Sequence, residues 1–455
     1  MDQIKQQILE QVPIYNSAEV AWQEITPFLH LVEERQGFRV YDKAIQAALN
    51  ACQCVRIPDL GEIIYLENPL ILSSGCKLSV SKTQRISNIS GSAHCLIRNR
   101  HIENGYAAYV QHKDPDTDLV IEGGIWDGAC HDRSIRFGVG GSEYVEGARS
   151  IMLFSNVEQI VIKDATFCNG GSNYAVQLSN ASGFHISGLH FIRFGRDGVH
   201  MNGPLSYGEV CHLSGRDMGD DMVALNAWDW DTSAVTFGTI AYVYVHDNES
   251  HNNEFRLLPG RKVYPAGDVD CDIHHCIIEN LSGIYTFKMY CQPNFRNAVD
   301  KTSHDISGAV GNIYQVYFRN ILINEKRNTG FSEIPVKSIF EVCADCHDIY
   351  MEDIHIQFTK EEFQRNDMHF MNVGPLSAVW KNNSENPEDW SELFDPNAVC
   401  CMTDLHLRNI NFRGQKEMCS EELVHEVHMT VNQEYPRTTP KGGIGYGTVK
   451  RVSVE

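Results

Sequence analysis

From Val55 onward, short apolar runs alternate with clusters of Gly, Asn, Asp and Ser. That is the pattern of brief strands separated by turns. Cys54–Pro58, Leu119–Gly123, Ile160–Asp164, Phe184–Gly188, Ile273–Ile278, Ile313–Phe318 and Ile349–Ile354 each read as a strand. No helical segments alternate with them, which excludes a sheet built from βαβ units. Before Val55 the spacing changes to that of helices. Ile4, Ile8, Leu9 and Val12, then Val20, Ile25, Leu29 and Val32, follow a helical period broken by Pro13 and Pro27. This predicts an N-terminal helical extension over 1–36. Residues 41–51 predict a short amphipathic helix with Ala44, Ile45, Ala48 and Leu49 on its apolar face.

The strands repeat. Ile162–Phe167 lines up with Ile186–Phe191, and that segment in turn matches Leu213–Met218, at a slightly longer step. A period of roughly 20–30 residues made of strands and turns marks a solenoid, and all-strand coils with Asn and Gly at the corners mean a parallel β-helix. No single coil buries its own inward residues, so stacking supplies the core. The fold class is therefore all-β, with the β-helix spanning 37–455. Two segments read as insertions that become loops: 227–240, with Trp228 and Trp230, and 360–400, with Trp380 and Trp390.

Composition narrows the function classes. With 42% hydrophobic and 21% charged residues, disorder is excluded. A net charge of −21, from 59 acidic and 38 basic residues, argues against nucleic acid as partner. The chain lacks a basic start followed by an apolar run, and no stretch of 18 apolar residues exists, so neither export nor a membrane partner is expected. The 15 cysteines then read as thiols in a reducing cytoplasm. Cys343 and Cys346 have the spacing of half a zinc ribbon, but no second pair follows, and no metal is expected there.

The repeat register also carries candidate chemistry. Arg196–Asn202 aligns with Asp220–Asn226, which stacks Asp197 on Asp221 and leaves Asp220 beside them. Neighbouring strands lie roughly 4.8 Å apart, so three carboxylates converge. Strand alternation points Val199, Met201, Val223 and Leu225 inward, and His200, Asn202, Ala224 and Asn226 outward. Asp197 and Asp221 share the inward parity, so they must sit at a corner, relaxed by Gly198 and Gly219. Crowded carboxylates raise one another's pKa. Glycoside hydrolysis needs one carboxylic acid and one carboxylate, roughly 6.5–9.5 Å apart in an inverting pair. Calcium binding and corner hydrogen bonding are the other readings of such a cluster.

At these residues the sequence resembles glycoside hydrolase family 28, the polygalacturonase-like enzymes, over about 38–320. Gly219-Asp-Asp-Met-Val-Ala-Leu225 is similar to the family's G-D-D-C-I-A-I, and Arg196-Asp-Gly-Val199 to its N-T-D-G-I coil. Ala44–Cys52, Val55–Pro58 and Ile121–Gly128 look like its opening coil and an early strand. The resemblance implies a right-handed parallel β-helix and inverting hydrolysis without a cofactor. It implies Asp220 as general acid, with Asp197 and Asp221 activating water. The family's R-I-K strand falls on Thr286-Phe287-Lys288, so Lys288 matches the substrate-binding lysine and Thr286 replaces the arginine. The family's Asn before Asp197 is Gly195, and its G-H-G histidine is absent. Arg256, on the equivalent coil 253–260, is placed to supply the missing cation, and Arg261 and Lys262 lie nearby. His200, Asn226, Trp228, Arg256 and Lys288 are thus the candidate substrate-binding residues, with Trp228 and Trp230 offering faces to a sugar ring. The implied partner is a pectic or related oligosaccharide; a homo-oligomer is compatible with the chain. The rival readings are a uronate lyase or epimerase on the same fold, and a non-catalytic glycan-binding β-helix.

Overall fold

The computed structural model describes residues 1–89, 95–100, 114–131, 150–171, 173–229, 235–262, 269–290, 311–324, 338–365, 369–373, 399–413 and 446–454. Strands stack one coil upon the next. Among the described residues every pairing is parallel except two short hairpins, Glu33–Arg35 with Phe38–Val40 and Gly260–Lys262 with Val269–Cys271. The architecture is the expected parallel β-helix. Five strands matter below: β1 (Tyr174–Ser187), β2 (Val199–Cys211), β3 (Asp221–Asn226), β4 (Ile240–Leu258) and β5 (Ile273–Tyr290).

Stacking builds the core, because identical registers bring like side chains together. Phe255 pairs with Phe287, which pairs with Phe340. The Phe255 and Phe287 rings lie 5.5 Å apart, and Phe287 stacks on Phe340 at 4.9 Å. All three are essentially inaccessible to solvent. Corners follow the same logic. Asp164, Gly188, His212, Asp247, Asn280, Asn320, Asp353 and Asn409 all take a left-handed φ of 50–63°. Asn and Asp tolerate that region, and their side chains bridge coils there. Asn280 donates to Asp247 at 2.9 Å, and Asn320 donates to Asn280 at 2.8 Å.

The first repeat step agrees with the sequence: Ile162 pairs with Ile186, and Phe167 with Phe191. The second does not. Ile186 pairs with Val210, and Phe191 with Gly215, so this step has the same length as the first. The similar tripeptides Ile186-Ser-Gly188 and Leu213-Ser-Gly215 lie on different sides of the same corner. His212 occupies the left-handed position that Gly188 holds below it, a substitution that hides the repeat.

The N-terminal extension is less helical than its spacing predicts. Helix α1 covers Asp2–Leu9; beyond it come 3-10 turns, and Gln23–Glu24 already pairs with the coil at Val55–Arg56. Helix α2, Asp42–Cys52, buries the expected Ala44, Ile45, Ala48 and Leu49. Of the two expected insertions, the first is clear in the register. Val199 pairs with Val223, but Leu205 pairs with Ile240, so the added chain lies between Asn226 and Ile240. In the second, Lys360–Arg365 is a helix and His369–Val373 a strand, whereas Trp380 and Trp390 lie outside the described residues, as does Trp230.

The aromatic stack makes a testable stability claim. Phe287→Ala should cost about 3–5 kcal/mol, the usual penalty for emptying a buried phenylalanine site. Ile14→Ser, at a fully exposed position, should stay within about 0.5 kcal/mol. Urea denaturation midpoints check both; equal midpoints for the two variants would contradict the stacked core.

Candidate active site

The three aspartates do meet. Gly198 N donates to Asp221 O at 3.0 Å, which fixes the two coils in the register that stacks Asp197 on Asp221. Carboxylate oxygens from Asp197, Asp220 and Asp221 all lie within 4.8 Å of one another. This is tighter than the separation expected of an inverting pair, roughly 6.5–9.5 Å. The cause is that the residues are one strand spacing apart or adjacent in sequence.

The device that turns Asp221 off the inward row is a bulge rather than a relaxed glycine corner. Asp221 pairs with Glu254 and Val223 with Phe255, so Met222 is the extra residue. Met222 and Val223 both pack into the core, and Asp221 is re-aimed. Gly198 is not left-handed. It is required for close approach: a Cβ there would sit 2.8 Å from Met222 O and from the Phe191 ring. Asn253 donates its side-chain amide to Asp220 O at 2.7 Å and holds the backbone of the turn.

Cations meet these carboxylates. Arg256 places Nη2 2.9 Å from Asp220 and Nε 2.8 Å from Asp221. Arg196 places Nη1 2.9 Å from the other oxygen of Asp220. Lys288 pairs with Glu254 on the adjacent strand, and its register partner is Arg256. Arg256 thus lies against Asp220 and Asp221, and Lys288 lies beside it. Thr286 is buried and donates to the Ser338 and Ile339 carbonyls, so it takes no part in charge recognition.

The outward-parity residues are not open to solvent. His200, Asn202 and Asn226 are at most 1% exposed. The insertion covers them: Val235 N donates to Asn202 Oδ1 at 3.3 Å, and Thr236 Oγ1 donates to Gly203 O at 2.7 Å. His200 lies between Asp197, 2.6 Å from Nδ1, and Asp229, 3.1 Å from Nε2, with Tyr174 stacked on its ring at 3.8 Å. His200 and Asn226 therefore sit behind the carboxylates. Trp228 also departs from its expected place. It is 4% exposed, belongs to the core, and packs where any Cβ on Gly260 would collide with it. Its ring has no face to offer a sugar. Arg261 pairs with Asp270 at 3.5 Å, away from the aspartates, and the Lys262 side chain lies outside the described residues, as does that of Cys343.

Electrostatics separates the three carboxyls. Burial works against ionisation of Asp220, yet Arg256, Arg196 and Lys288 outweigh it and hold the carboxyl well below the usual range. Burial pushes Asp221 well up; Arg256 opposes this, while Asp220, Asp197 and Glu254 add to it. Asp197 is raised by burial and by Asp220, with His200 pulling it back. Burial and the neighbouring carboxylates thus favour a proton on Asp221 or Asp197 over one on Asp220. The resemblance gives the acid's part to Asp220, whereas these directions favour a resting proton on its neighbours. Exposure runs the other way: side-chain exposure is 12% for Asp220, 1% for Asp197 and 0% for Asp221. Calcium takes six to eight oxygen ligands. Here both oxygens of Asp220 already meet guanidinium groups, so the donor set suits a shared proton better than a cation.

Sequence reasoning misses Arg196 as a partner, Glu254, and Asp229. Glu254 and Asp229 fall in a coil and an insertion without a motif, and only the register brings them in.

The same fold occurs in proteins of known structure. A hyperthermoactive exopolygalacturonase from Thermotoga maritima matches with a TM-score of 0.58 at 10% identity, over 91% of this chain and 97% of that one. A family 28 exopolygalacturonase from Yersinia enterocolitica matches with a TM-score of 0.50 at 12% identity, over 97% and 79%. No family sequence model matches the chain, and no curated protein does. At such identity the likeness is one of fold: a parallel β-helix of the architecture these glycosidases share.

His200 provides a test of the buried network. Burial alone would depress the imidazole, but its bonds to Asp197 and Asp229 raise its pKa above the ordinary value. A raised pKa stabilises the fold below the unfolded pKa, and that contribution is lost as pH rises through the folded one. Histidine nitrogen NMR should show both ring nitrogens of His200 protonated at pH 6.5, roughly the ordinary midpoint. A neutral ring there would contradict the Asp197–His200–Asp229 arrangement.

Proposed function

We propose that this protein is a glycoside hydrolase that cleaves a uronate-containing, pectic-type oligosaccharide at Asp197, Asp220 and Asp221. The observation that supports it most is the convergence of three carboxylates, within 4.8 Å, with opposite pKa shifts. Two titratable groups driven apart by their surroundings supply an acid and a base at one pH. Asp220 is the carboxyl that meets the substrate, being the most exposed. In the free protein it is ionised by its arginines, so it becomes an acid only when one of them leaves.

Arg196 is the one that leaves. It makes one contact to the trio and its side chain is 32% exposed, whereas Arg256 spans two aspartates at 11%. The sugar carboxylate draws Arg196 away. Asp220, now beside two buried carboxyls with less compensating charge, takes the shared proton and delivers it to the glycosidic oxygen. Asp197 and Asp221, both then ionised, hold and deprotonate the attacking water, which adds to the anomeric carbon as the glycosidic bond breaks. Each has an oxygen, Oδ1, that is buried without a hydrogen-bond partner among the described residues. Uronate recognition and acid generation are one event in this scheme. The reaction requires no cofactor. Short substrates and a cytoplasmic setting are part of the same reading.

The test compares aryl galacturonides with aryl galactosides. The galacturonide should be cleaved at least tenfold faster by kcat/KM. Arg196→Ala should lower that value by about tenfold to a hundredfold, the worth of a charge-assisted bond of roughly 1.5–3 kcal/mol, and should shrink the preference. Asp220→Asn should lose roughly 10²–10⁴ in kcat. Equal rates on the neutral galactoside overturn the uronate reading. An unsaturated, ultraviolet-absorbing product would show a lyase, and glycan binding without new reducing ends would show a binding protein.

A further inference from the structure

A second cluster lies on the neighbouring face of the β-helix. His185 on β1 pairs with Glu209 on β2, and Cys211 follows two residues on, on the same outward row. One donor atom from each of the three lies within 4.8 Å of the others. The intervening Val210 points into the core and fixes the direction of its neighbours. Glu209 accepts from His185 Nδ1 at 2.7 Å, and its other oxygen meets His246 Nε2 at 3.0 Å. His246 Nδ1 in turn lies 2.7 Å from Asp247, and Tyr244 stacks on the His246 ring at 3.9 Å. His185 and Glu209 line a cavity of about 370 Å³, together with Val12, Pro13, Tyr15 and Lys163 among others, and Cys211 lies buried behind them.

We propose that His185, Glu209 and Cys211 form a binding site for a zinc-like divalent ion. The donor set is one imidazole, one carboxylate and one thiolate, which suits zinc in both softness and number. Three protein ligands leave one coordination position, and the cavity gives it access to a water or a small anionic ligand, with Lys163 on the same wall. His246 and Asp247 behind Glu209 are the outer carboxylate and histidine partners that orient a ligating group. Cys211 is 3% exposed, so a bound ion would hold its sulfur out of contact with bulk solvent. Cysteine ligates zinc as the thiolate, so binding releases the thiol proton to solvent. This site is independent of the aspartate cleft, so it stands or falls apart from the hydrolase reading.

The full-length chain, freed of metal by dialysis against chelator, should take up one Zn²⁺ by calorimetry. Co²⁺ in its place should give a near-ultraviolet sulfur-to-cobalt charge-transfer band. Cys211→Ser should abolish the band. His185→Gln, at a side chain 24% exposed on the cavity wall and so safe for folding, should weaken Zn²⁺ binding at least tenfold. His246→Gln should weaken it by about 10–100-fold, as expected for an outer partner. No uptake of either ion would overturn the proposal. So would uptake indifferent to Cys211→Ser and His185→Gln, including uptake lost instead in Asp197→Asn, which would move the ion to the aspartate cleft.

Discussion

Burying like charges together is the constraint on which the rest of the site depends. Asp197, Asp220, Asp221, Asp229 and Glu254 crowd into one patch, against Arg196, Arg256, Lys288 and the imidazole of His200. Among the described residues, five carboxyls face four cations, an excess of one negative charge that a single proton would remove. A buried, unpaired charge costs several kcal/mol, so the proton is the lower-energy solution. Which carboxyl is favoured for it depends on how many guanidinium groups it meets and how deeply it is buried. Asp220 meets two of them, which favours its ionised form; Asp221 and Asp197 are more deeply buried, which favours the proton there.

The solenoid makes such crowding possible. Each coil repeats the last, so a residue type that would be isolated elsewhere recurs one strand spacing away. The same repetition that stacks Phe255, Phe287 and Phe340 in the core stacks Asp197 on Asp221 at the cleft, and Arg256 beside Lys288. Where the chemistry needs a departure, the backbone supplies it locally. The bulge at Met222 turns one aspartate off the inward row while keeping the apolar row filled, and beyond Asn226 the chain brings Asp229 to His200 and Val235 to Asn202.

Much of this is legible in the residues. Period-2 runs with Asn, Asp and Gly at the corners specify a β-helix, and the alignment of Arg196–Asn202 with Asp220–Asn226 brings the aspartates together. The departures have physical causes. Left-handed corners accept His212 as well as Gly188, so similarity alone misaligns the repeat at one step. Alternation tells inward from outward, but outward is not the same as exposed. An insertion buries His200 and Asn226, and Trp228 joins the core under Gly260. Motif matching assigns Asp220 a proton that only the surrounding charges can grant or refuse. Those charges come from Arg196, which a motif comparison treats as a neighbour, and from Arg256, a residue found by asking what replaces a missing one. Glu254 and Asp229 carry no motif at all.

A proton shared within a three-carboxyl cluster and withheld from its most exposed member has a direct spectroscopic signature. Carbon NMR of the protein with labelled aspartate carboxyls, followed through a pH titration, reads this directly. Asp220 should remain ionised into strong acid, while a resonance from Asp221 or Asp197 stays protonated well above the ordinary carboxyl range. Three resonances titrating together near pH 4, roughly the value of an unperturbed aspartate, would contradict it.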